Sequence, residues 1–393
     1  MTAPRRMGLT GNEAVALAWK QLRPHVVAAY PITPATQIVE RFSEYVAQGE
    51  VDTEFVPAES EHSALSACVG AAAAGARVLT ATASQGLALM HEVLYIASGL
   101  RLPIVMNVAN RALSAPINIH GDHSDTMGSR DAGWVQIYAR NVQDAYDRTL
   151  LAVWVAERAR LPVMVCLDGF TLTHSLEPVE VYPDEAVREF VGEAPPDGYT
   201  LLGGEPITVG PLALPDSYME FRRALAAAME RVPRVLEEGV RAFRQQFGRK
   251  LPALVEARGT EDADVALVIM GSYADSAEQA ALRGRVRGQR AGLVRVVTFR
   301  PFPAAALRET LAGARDVVVL ERADTLSGLG GPLGVEVRAA LYGLPQAPRV
   351  TDVIFGLGGR ELRDAELDAL LQGELPGGVV YLGVEGAHVL EPA

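Results

Sequence analysis

Residues 59–86, ESEHSALSACVGAAAAGARVLTATASQG, decide the fold. Ser60 is a favourable N-cap, and the small residues of 64–74 predict the body of a closely packed helix. Short strands are predicted on either side, over 53–56 and 77–83, and the second ends in the polar run Ser84-Gln85-Gly86, which we interpret as a loop. A helix between two strands is typical of a parallel sheet. Because ligands bind at the carboxyl ends of parallel strands, this stretch predicts a ligand site.

Glu61 stands at the start of this apolar helix and has two possible explanations. A carboxyl group that lies against apolar surface can exchange a proton near neutrality, which suits acid–base chemistry. An acid at a helix N-terminus is explained more simply by its favourable interaction with the helix dipole. The residues of this stretch alone leave both explanations open.

Strands and helices alternate at short spacing along the first part of the chain, which predicts a doubly wound parallel sheet. Besides the strands already named, strands are predicted over 25–29, 103–109 and 162–167. Helices are predicted over 11–22, 36–47, 87–100 and 142–158. We assign this α/β domain to residues 1–190.

A connection and a long helix are predicted over residues 191–260. The segment 192–215 is rich in Gly and Pro and has no periodic pattern, which favours a surface connection. From Asp216 onward, apolar residues recur every three or four positions, which predicts a long helix. Pro233 should kink or split this helix, and Gly248 should end it.

A second, smaller α/β domain is predicted over residues 261–393. Its strands are expected at 265–270, 292–297, 317–320, 350–354 and 379–382, with helices near 276–287, 332–341 and 361–371. The pair Gly271-Ser272 follows the first of these strands and could meet an anion at a helix start. The glycine runs 328–331 and 356–359 do not fit the dinucleotide fingerprint and are interpreted as loops.

Composition and charge restrict the class of protein. The chain has 393 residues, 49% of them hydrophobic, and a net charge of −12. The negative charge argues against a nucleic-acid or anionic-membrane surface. No secretory signal and no membrane span is predicted, so a cytoplasmic protein is expected. The two cysteines, Cys68 and Cys166, are predicted to be buried, and two thiols cannot supply a four-thiolate iron–sulfur cluster.

A long irregular segment, residues 110–125, is also predicted to be functional, because loops of this length in compact domains usually are. Its polar side chains include Arg111, His120, Asp122, His123 and Asp125. A diphosphate and magnesium loop is rejected here, since His123 stands where a small residue would be needed. No metal site is therefore predicted in this chain.

Ten short motifs occur along nearly the whole chain: Tyr30-Pro31-Ile32-Thr33-Pro34, Glu59-Ser60-Glu61-His62, Ser84-Gln85-Gly86, Ala109-Asn110-Arg111, Gly121-Asp122-His123, Asp168-Gly169-Phe170 with Thr173-His174, Ile207-Thr208-Val209-Gly210, Arg300-Pro301-Phe302-Pro303, Glu321-Arg322-Ala323 and Gly330-Gly331-Pro332-Leu333. In this order, they resemble the α subunit of pyruvate:ferredoxin oxidoreductase.

The resemblance implies a pyrimidine-type thiamine diphosphate-binding domain followed by a transketolase-C-terminal-like domain. It implies oxidative decarboxylation of a 2-oxoacid, acyl transfer to coenzyme A and reduction of ferredoxin, in a hetero-oligomer. Thiamine diphosphate would be shared with a β subunit that carries the diphosphate site. Magnesium and iron–sulfur clusters would belong to partners only, namely the β subunit and the γ and ferredoxin-like δ subunits or fusions of them.

The resemblance also implies roles for individual residues. Glu61 resembles the glutamate that hydrogen-bonds the pyrimidine nitrogen of the cofactor, where proton sharing activates the thiazolium carbon. Arg111 resembles the arginine that meets the substrate carboxylate, and Thr33 resembles the threonine beside it. Cofactor binding is expected from Glu61 together with Pro31, Ser84 and Gln85.

Two other functions stay open at this point. One is a cofactor-sharing subunit of a 2-oxoacid dehydrogenase that passes its acyl group to lipoamide, and the other is a non-catalytic α/β binding subunit. The resemblance favours pyruvate, but the sequence does not fix the 2-oxoacid, the physiological direction or the subunit stoichiometry. It assigns no specific role to His62, His120, Asp122 or His123.

Overall fold

The computed structural model of the chain describes residues 4–193, 201–202, 206–372 and 377–384. The strands in these ranges are Arg5–Leu9 (β1), Val26–Ala29 (β2), Glu54–Pro57 (β3), Val78–Thr82 (β4), Ile104–Asn110 (β5), Val135–Tyr138 (β6), Val163–Asp168 (β7), Glu177–Val181 (β8), Val255–Arg258 (β9), Val265–Ile269 (β10), Ala291–Val296 (β11), Thr298–Arg300 (β12), Asp316–Glu321 (β13), Arg349–Ile354 (β14) and Gly378–Tyr381 (β15).

The helices alternate with these strands along most of the chain. They are Gly11–Leu22 (α1), Thr36–Ala47 (α2), Glu61–Ala73 (α3), Ser84–Leu89 (α4), His91–Gly99 (α5), Ser124–Gly128 (α6), Val142–Ala159 (α7), Asp184–Val191 (α8), Tyr218–Phe247 (α9), Ala274–Val286 (α10), Ala304–Leu311 (α11), Pro332–Leu341 (α12) and Asp364–Gln372 (α13), with a 3₁₀ turn at Leu357–Gly359. Within the described ranges, no helix is long and apolar enough to cross a membrane.

The first sheet confirms the predicted doubly wound architecture. Its strand order is β12-β6-β7-β5-β4-β2-β3, and all neighbours are parallel except the pair of β12 with β6. Helices α1, α2 and α7 contribute to the apolar core on one face, whereas α3 and α5 contribute to the core on the other. Burial on both faces is what a parallel sheet requires.

The second sheet confirms a further α/β domain after the long helix. Its order is β15-β14-β13-β10-β11-β9, parallel except at β9. Each sheet contains one strand from outside its predicted domain. Strand β9 lies in the predicted connection, 191–260, but pairs with β11 of the second sheet. Strand β12 lies in the predicted second domain, 261–393, but pairs with β6 of the first sheet. The proposed domain bounds, 1–190, 191–260 and 261–393, stay a prediction.

A network of buried charges also joins the two sheets. The Asp144 carboxylate on α7 accepts hydrogen bonds from Arg148, at 3.0 Å, and from Arg295 on β11, at 2.8 Å. Burial of Asp144 opposes its ionisation, but these two guanidinium groups hold its pKa well below the usual range. Breaking a buried pair of this kind leaves an uncompensated charge, so the network ties α7 firmly to the second sheet.

Helix α9 continues through Pro233 and ends where predicted. A split at Pro233 is therefore wrong, although proline removes a hydrogen bond at a cost of about 3 kcal/mol, and the alternative of a kink stays a prediction. Val232 and Leu236 beside it are buried against the first domain, and this packing outweighs the local penalty. Gly248 has a φ of +73° and caps the helix, as predicted.

The prediction was wrong for residues 84–100. The run Ser84-Gln85-Gly86, predicted as a loop, is the first turn of α4, and the single helix predicted over 87–100 is two helices, α4 and α5. Several short elements were missed because segments of three to eight residues carry too little periodic pattern to be detected. These are β1, β6, β8, β9, β12, α6, α8 and α11.

Candidate active site

Four neighbouring parallel strands end at one edge of the first sheet, in the order β5-β4-β2-β3. The segment 30–34 follows β2, Glu61 follows β3, Ser84 follows β4 and Arg111 follows β5. Because parallel strands end on the same side, the main residues predicted for the site converge there. The functional roles of these residues stay a prediction.

Glu61 occupies the first turn of α3 and is 7% exposed. Ser60 caps the helix by accepting a hydrogen bond from Ser63 N–H at 3.2 Å, which places Glu61 at the positive end of the helix. A Cβ on Gly86 would lie only 2.7 Å from Glu61 Oε1, so the glycine permits α3 and α4 to approach closely. Among the described residues, no hydrogen bond or ion pair reaches the Glu61 carboxylate.

Ser84 and Gln85 form the start of α4 beside Glu61. Ser84 adopts a φ of +47°, uncommon for a residue with a side chain, and its hydroxyl donates to the Ala112 carbonyl at 2.6 Å. The Gln85 Nε2 atom is buried and has no hydrogen-bond partner in the described part of the chain. The Thr82 hydroxyl, at the end of β4, shares that condition. Two buried donors close to the start of α4 are thus left without a partner in the described part of the chain.

Arg111 is 8% exposed and is held at two of its guanidinium nitrogens. Its Nε donates to the Asn118 carbonyl at 2.9 Å, and its Nη1 donates to the Thr33 carbonyl at 3.1 Å. No partner of Nη2 is found within the described ranges. The arginine therefore keeps donors for a carboxylate while its orientation is set by two main-chain oxygens.

Thr33 and Pro31 lie on the exposed side of the same site. Both side chains are exposed, and the Thr33 hydroxyl has no partner among the described residues. The segment is held at its far end, where Asn12 Nδ2 donates to the Pro34 carbonyl at 2.9 Å. The structure therefore brings Thr33 and Arg111 together through the Thr33 main chain and leaves the threonine hydroxyl accessible.

Asp125, on α6, connects the ends of β4 and β5. Its Oδ2 accepts from Ser84 N–H at 2.9 Å and from Arg111 N–H at 3.0 Å, and its Oδ1 accepts from Asn110 Nδ2 at 2.8 Å. Burial raises the pKa of this carboxyl to about 6, although these donors act in the opposite direction. A single buried carboxylate thus sets the distance between the Glu61 side and the Arg111 side of the site.

His123 belongs to a buried network that reaches the second domain. Its Nε2 lies 2.6 Å from Asp168 Oδ1, while Asp168 Oδ2 accepts from Ser272 N–H at 2.7 Å and lies 3.1 Å from Arg322 Nη1. Burial opposes the ionisation of Asp168, but Arg322 and His123 hold its pKa well below the usual range. The Gly271-Ser272 turn does meet an anion, and that anion is the carboxylate of Asp168.

The other residues without a predicted role have structural contacts. Asp122 is buried and accepts hydrogen bonds from Ser124, whereas the exposed His120 ring lies 5.0 Å from the Phe170 ring. His62 is half-buried on α3. Within the described ranges, no group of three or more His, Cys, Asp or Glu side chains is arranged to hold a metal ion.

Sequence reasoning did not assign two residues that the structure makes important, Asp125 and Asn118. Asp125 was visible as a polar residue in the long segment, but its partners are backbone N–H groups of two other strand ends. Asn118 gave no signal, since asparagine in a loop is ordinary. Both Cys68 and Cys166 are buried and free, as predicted.

Two family models match the chain. One, described as pyruvate flavodoxin/ferredoxin oxidoreductase, thiamine diphosphate-binding, matches residues 17–240. The other, described as pyruvate:ferredoxin oxidoreductase core domain II, matches residues 263–367. Together they span both α/β domains.

Similar proteins of established name cover almost the whole chain. Pyruvate synthase subunit PorA of Thermotoga maritima is 50% identical, over 96% of this chain and 98% of that protein. The PorA protein of Pyrococcus furiosus is 49% identical, over 94% and 93%. Ketoisovalerate oxidoreductase subunit VorA of Pyrococcus horikoshii is 42% identical, also over 94% and 93%.

A solved structure shares the fold. It is 2-oxoglutarate:ferredoxin oxidoreductase from Magnetococcus marinus with 2-oxoglutarate, coenzyme A and succinyl-CoA bound, and the TM-score is 0.69. The match covers 93% of this chain and 65% of that one, at 22% sequence identity. At this identity the likeness supports the fold alone.

The raised pKa of Asp125 leads to a prediction about stability and pH. The folded carboxyl keeps its proton up to a pH of about 6, whereas the unfolded one loses it near 3.9. The folded state therefore binds more protons over this interval, and the stability from Asp125 falls as pH rises through it, by up to about 3 kcal/mol. Asn does not titrate. From pH 4 to pH 6, the free energy of unfolding of the wild type should therefore fall relative to that of Asp125→Asn. Calorimetric unfolding of both proteins measures it, and parallel curves would contradict it.

Proposed function

This chain belongs to the pyruvate flavodoxin/ferredoxin oxidoreductase family, and from that premise we propose that it contributes Glu61, Arg111 and Thr33 to a thiamine diphosphate site completed by a partner subunit. It is the α subunit of a 2-oxoacid:ferredoxin oxidoreductase. The observation that carries the site assignment is one continuous series of contacts at a sheet edge: Glu61 against Gly86, the turn at Ser84 bonded to Asp125, and Asp125 bonded to Arg111.

The reaction assigned to the assembled enzyme is the oxidative decarboxylation of pyruvate with coenzyme A. Acetyl-CoA and carbon dioxide are formed, and the electrons released pass to ferredoxin; the same site can run in reverse. Pyruvate is favoured over a branched 2-oxoacid because the relatives named pyruvate synthase reach 50% identity, against 42% for those named ketoisovalerate oxidoreductase.

The residues present suit the aminopyrimidine half of thiamine diphosphate. A pyrimidine ring needs an acid at one ring nitrogen and further polar contacts around its edge. Glu61 offers a buried carboxylate that has no partner among the described residues, and Gln85 Nε2 offers a buried N–H donor that is likewise unpaired there. When bound, this cofactor supplies the carbon nucleophile and the electron sink that decarboxylation requires.

Glu61 is proposed to hold and share a proton at the pyrimidine nitrogen. Its position in the first turn of α3 places it at the positive end of the helix dipole, and burial beside Gly86 strengthens any hydrogen bond that it makes. A carboxyl group can act in this way because it can both accept and donate a proton. The neighbouring Ser84 and Gln85 are proposed to fix the ring against the start of α4.

Arg111 and Thr33 are proposed to bind the carboxylate of the 2-oxoacid. The Arg111 guanidinium is already oriented by the carbonyls of Asn118 and Thr33, so little conformational entropy is lost when its remaining N–H groups meet an anion. The exposed Thr33 hydroxyl can donate to the same anion. These residues would hold the reacting carbon in place without taking part in proton transfer.

The partner subunits are part of the proposal. Magnesium and the diphosphate group are assigned to a β subunit, and the iron–sulfur clusters to γ and δ subunits or their fusions. In support, the two cysteines of this chain lie apart, on α3 and β7, and both are buried. They cannot ligate a four-thiolate cluster. Neither a lipoamide-linked enzyme nor a non-catalytic subunit is favoured by a feature of the structure.

The subunit assignment predicts that the chain alone is inactive and binds thiamine diphosphate weakly, because half of the cofactor contacts are missing. Pyruvate-dependent reduction of ferredoxin should appear only when the partner subunits are added. Calorimetric titration of the purified chain, together with the assay on the reconstituted complex, tests this. Tight, magnesium-dependent binding by the chain alone would overturn the assignment.

Replacing Glu61 with Gln should leave folding intact and slow cofactor activation by about 10²- to 10⁴-fold, because an amide of the same shape cannot share the proton. The measurement is deuterium exchange at the thiazolium carbon in the assembled complex. Glu59→Gln, at an exposed acid two residues earlier, is the matched control and should exchange at the wild-type rate. Normal exchange in Glu61→Gln would refute the role.

Arg111→Lys keeps the charge but loses the planar pair of N–H donors that can bind both oxygens of a carboxylate. Catalytic efficiency with pyruvate should therefore fall at least about tenfold. Thr33→Val removes the hydroxyl and keeps the carbonyl that orients Arg111, so it should cost about 1 to 3 kcal/mol of transition-state stabilisation. Steady-state kinetics and cofactor affinity of each complex measure these effects, with Thr36→Val as a control. Normal kinetics in both site variants, or loss of cofactor binding instead, would show that they do not bind the carboxylate.

A further inference from the structure

The glycine run 356–359 of the second domain packs directly on the segment that carries Arg111. Gly356, Gly358 and Gly359 all have positive φ, which glycine adopts at little cost. A Cβ on Gly358 would lie 2.4 Å from Asn118 Nδ2, and one on Gly359 would lie 2.4 Å from His120 Cβ. Side chains at these positions would push the segment away, so the run acts as a flat docking surface for residues 118–122.

Hydrogen bonds fix the segment on this surface at several points. Asn118 Nδ2 donates to the Gly358 carbonyl at 3.0 Å, and Gly358 N–H donates to Asp122 Oδ2 at 3.1 Å. Arg322 supports the same contact, since its Nη2 donates to the Gly121 carbonyl at 2.6 Å and its own carbonyl accepts from His123 N–H at 2.8 Å. The second domain therefore holds both the middle and the end of the segment.

Asn118 connects this surface to the site in one step. Its side chain contacts Gly358, while its main-chain carbonyl accepts the hydrogen bond from Arg111 Nε at 2.9 Å. Asn118 Oδ1 also accepts from His120 N–H at 2.6 Å, so the side chain is held from two directions. A displacement of Asn118 would rotate the guanidinium group of Arg111, because the hydrogen bond at Nε determines the direction in which the two Nη groups point.

We propose that Asn118 is a positioning residue: the docking of the second domain on Asn118 sets the orientation of Arg111 and thereby the affinity for the 2-oxoacid carboxylate. The proposal rests on the proposed function of Arg111. It gives the second domain a role in substrate binding although none of its residues needs to touch the substrate.

Asn118→Asp is the primary test, in the assembled complex with pyruvate. The substitution keeps the shape and the acceptor for His120 N–H but replaces the donor to Gly358 by an oxygen. The KM for pyruvate should rise about tenfold, the size of effect expected for one lost hydrogen bond, while kcat and thiazolium deuterium exchange stay within about twofold. An unchanged KM, or a parallel fall in exchange, would overturn the proposal.

A double-mutant comparison separates positioning from general destabilisation. If Asn118 acts by orienting the Arg111 guanidinium, its effect should be lost once that group is replaced. Asn118→Asp should therefore change the KM by less than about twofold when it is added to Arg111→Lys. Equal effects in the two backgrounds would overturn the proposal. A wild-type complex without any 2-oxoacid turnover would refute the proposed function, whereas an active wild type with an unaffected Asn118→Asp complex would refute only the positioning role.

Gly358→Ala changes the same contact from the side of the second domain. It provides a second test if the Asn118→Asp chain does not assemble with its partners. The added Cβ should displace Asn118 and raise the KM to a similar extent. Gly288→Ala is the matched control, since Gly288 has a φ of +84° with no atom within 4 Å of an added Cβ. It shares the backbone strain and should leave the KM unchanged. Equal KM values in the two alanine variants would contradict the role of the docking surface.

Discussion

The Asp125 carboxylate is the interaction on which the geometry of the site depends. Strands β4 and β5 end side by side, and the backbone N–H groups that follow them would be buried without a partner. Asp125 accepts both, at 2.9 and 3.0 Å, and so satisfies donors that would otherwise cost about 1 to 3 kcal/mol each. The same contacts hold Ser84 in its unusual conformation and place Arg111 at the start of its segment. Burial raises the pKa of Asp125 because the hydrogen bonds that it accepts only partly replace its lost hydration.

Buried carboxylates also hold the second α/β domain against the first. Asp168 ends β7 and receives hydrogen bonds and charge from Ser272 and Arg322 across the domain boundary. Asp144 does the same with Arg295 at another point of that boundary. Buried ions are expensive unless they are paired and hydrogen-bonded, so these contacts favour a single relative placement of the domains. That placement brings the glycine run 356–359 onto the segment carrying Arg111.

The strand ends could be predicted from the sequence, and most of the local contacts made there could not. Parallel strands separated by helices require their carboxyl ends to share an edge, so the convergence of Glu61, Thr33 and Arg111 followed from the pattern. The turn at Ser84 was mistaken for a loop because its positive φ depends on Asp125, forty-one residues away in sequence. The interpretation of run 356–359 as a loop was reasonable, yet its contact with Asn118 joins positions 240 residues apart.

The sequence by itself determined the alternation of strands and helices, the cap of α3 at Ser60, the end of α9 at Gly248 and the burial of both cysteines. These features depend on side-chain chemistry and periodicity within a few residues, which a sequence displays directly. Tertiary structure alone decided the exchange of β9 and β12 between regions, the continuity of α9 through Pro233, the partners of Asp125 and Asp168, and the contact of Asn118 with Gly358. Each of these features depends on polar groups or apolar faces that are buried between segments distant in sequence. A local sequence pattern does not specify which distant segment will supply the partner.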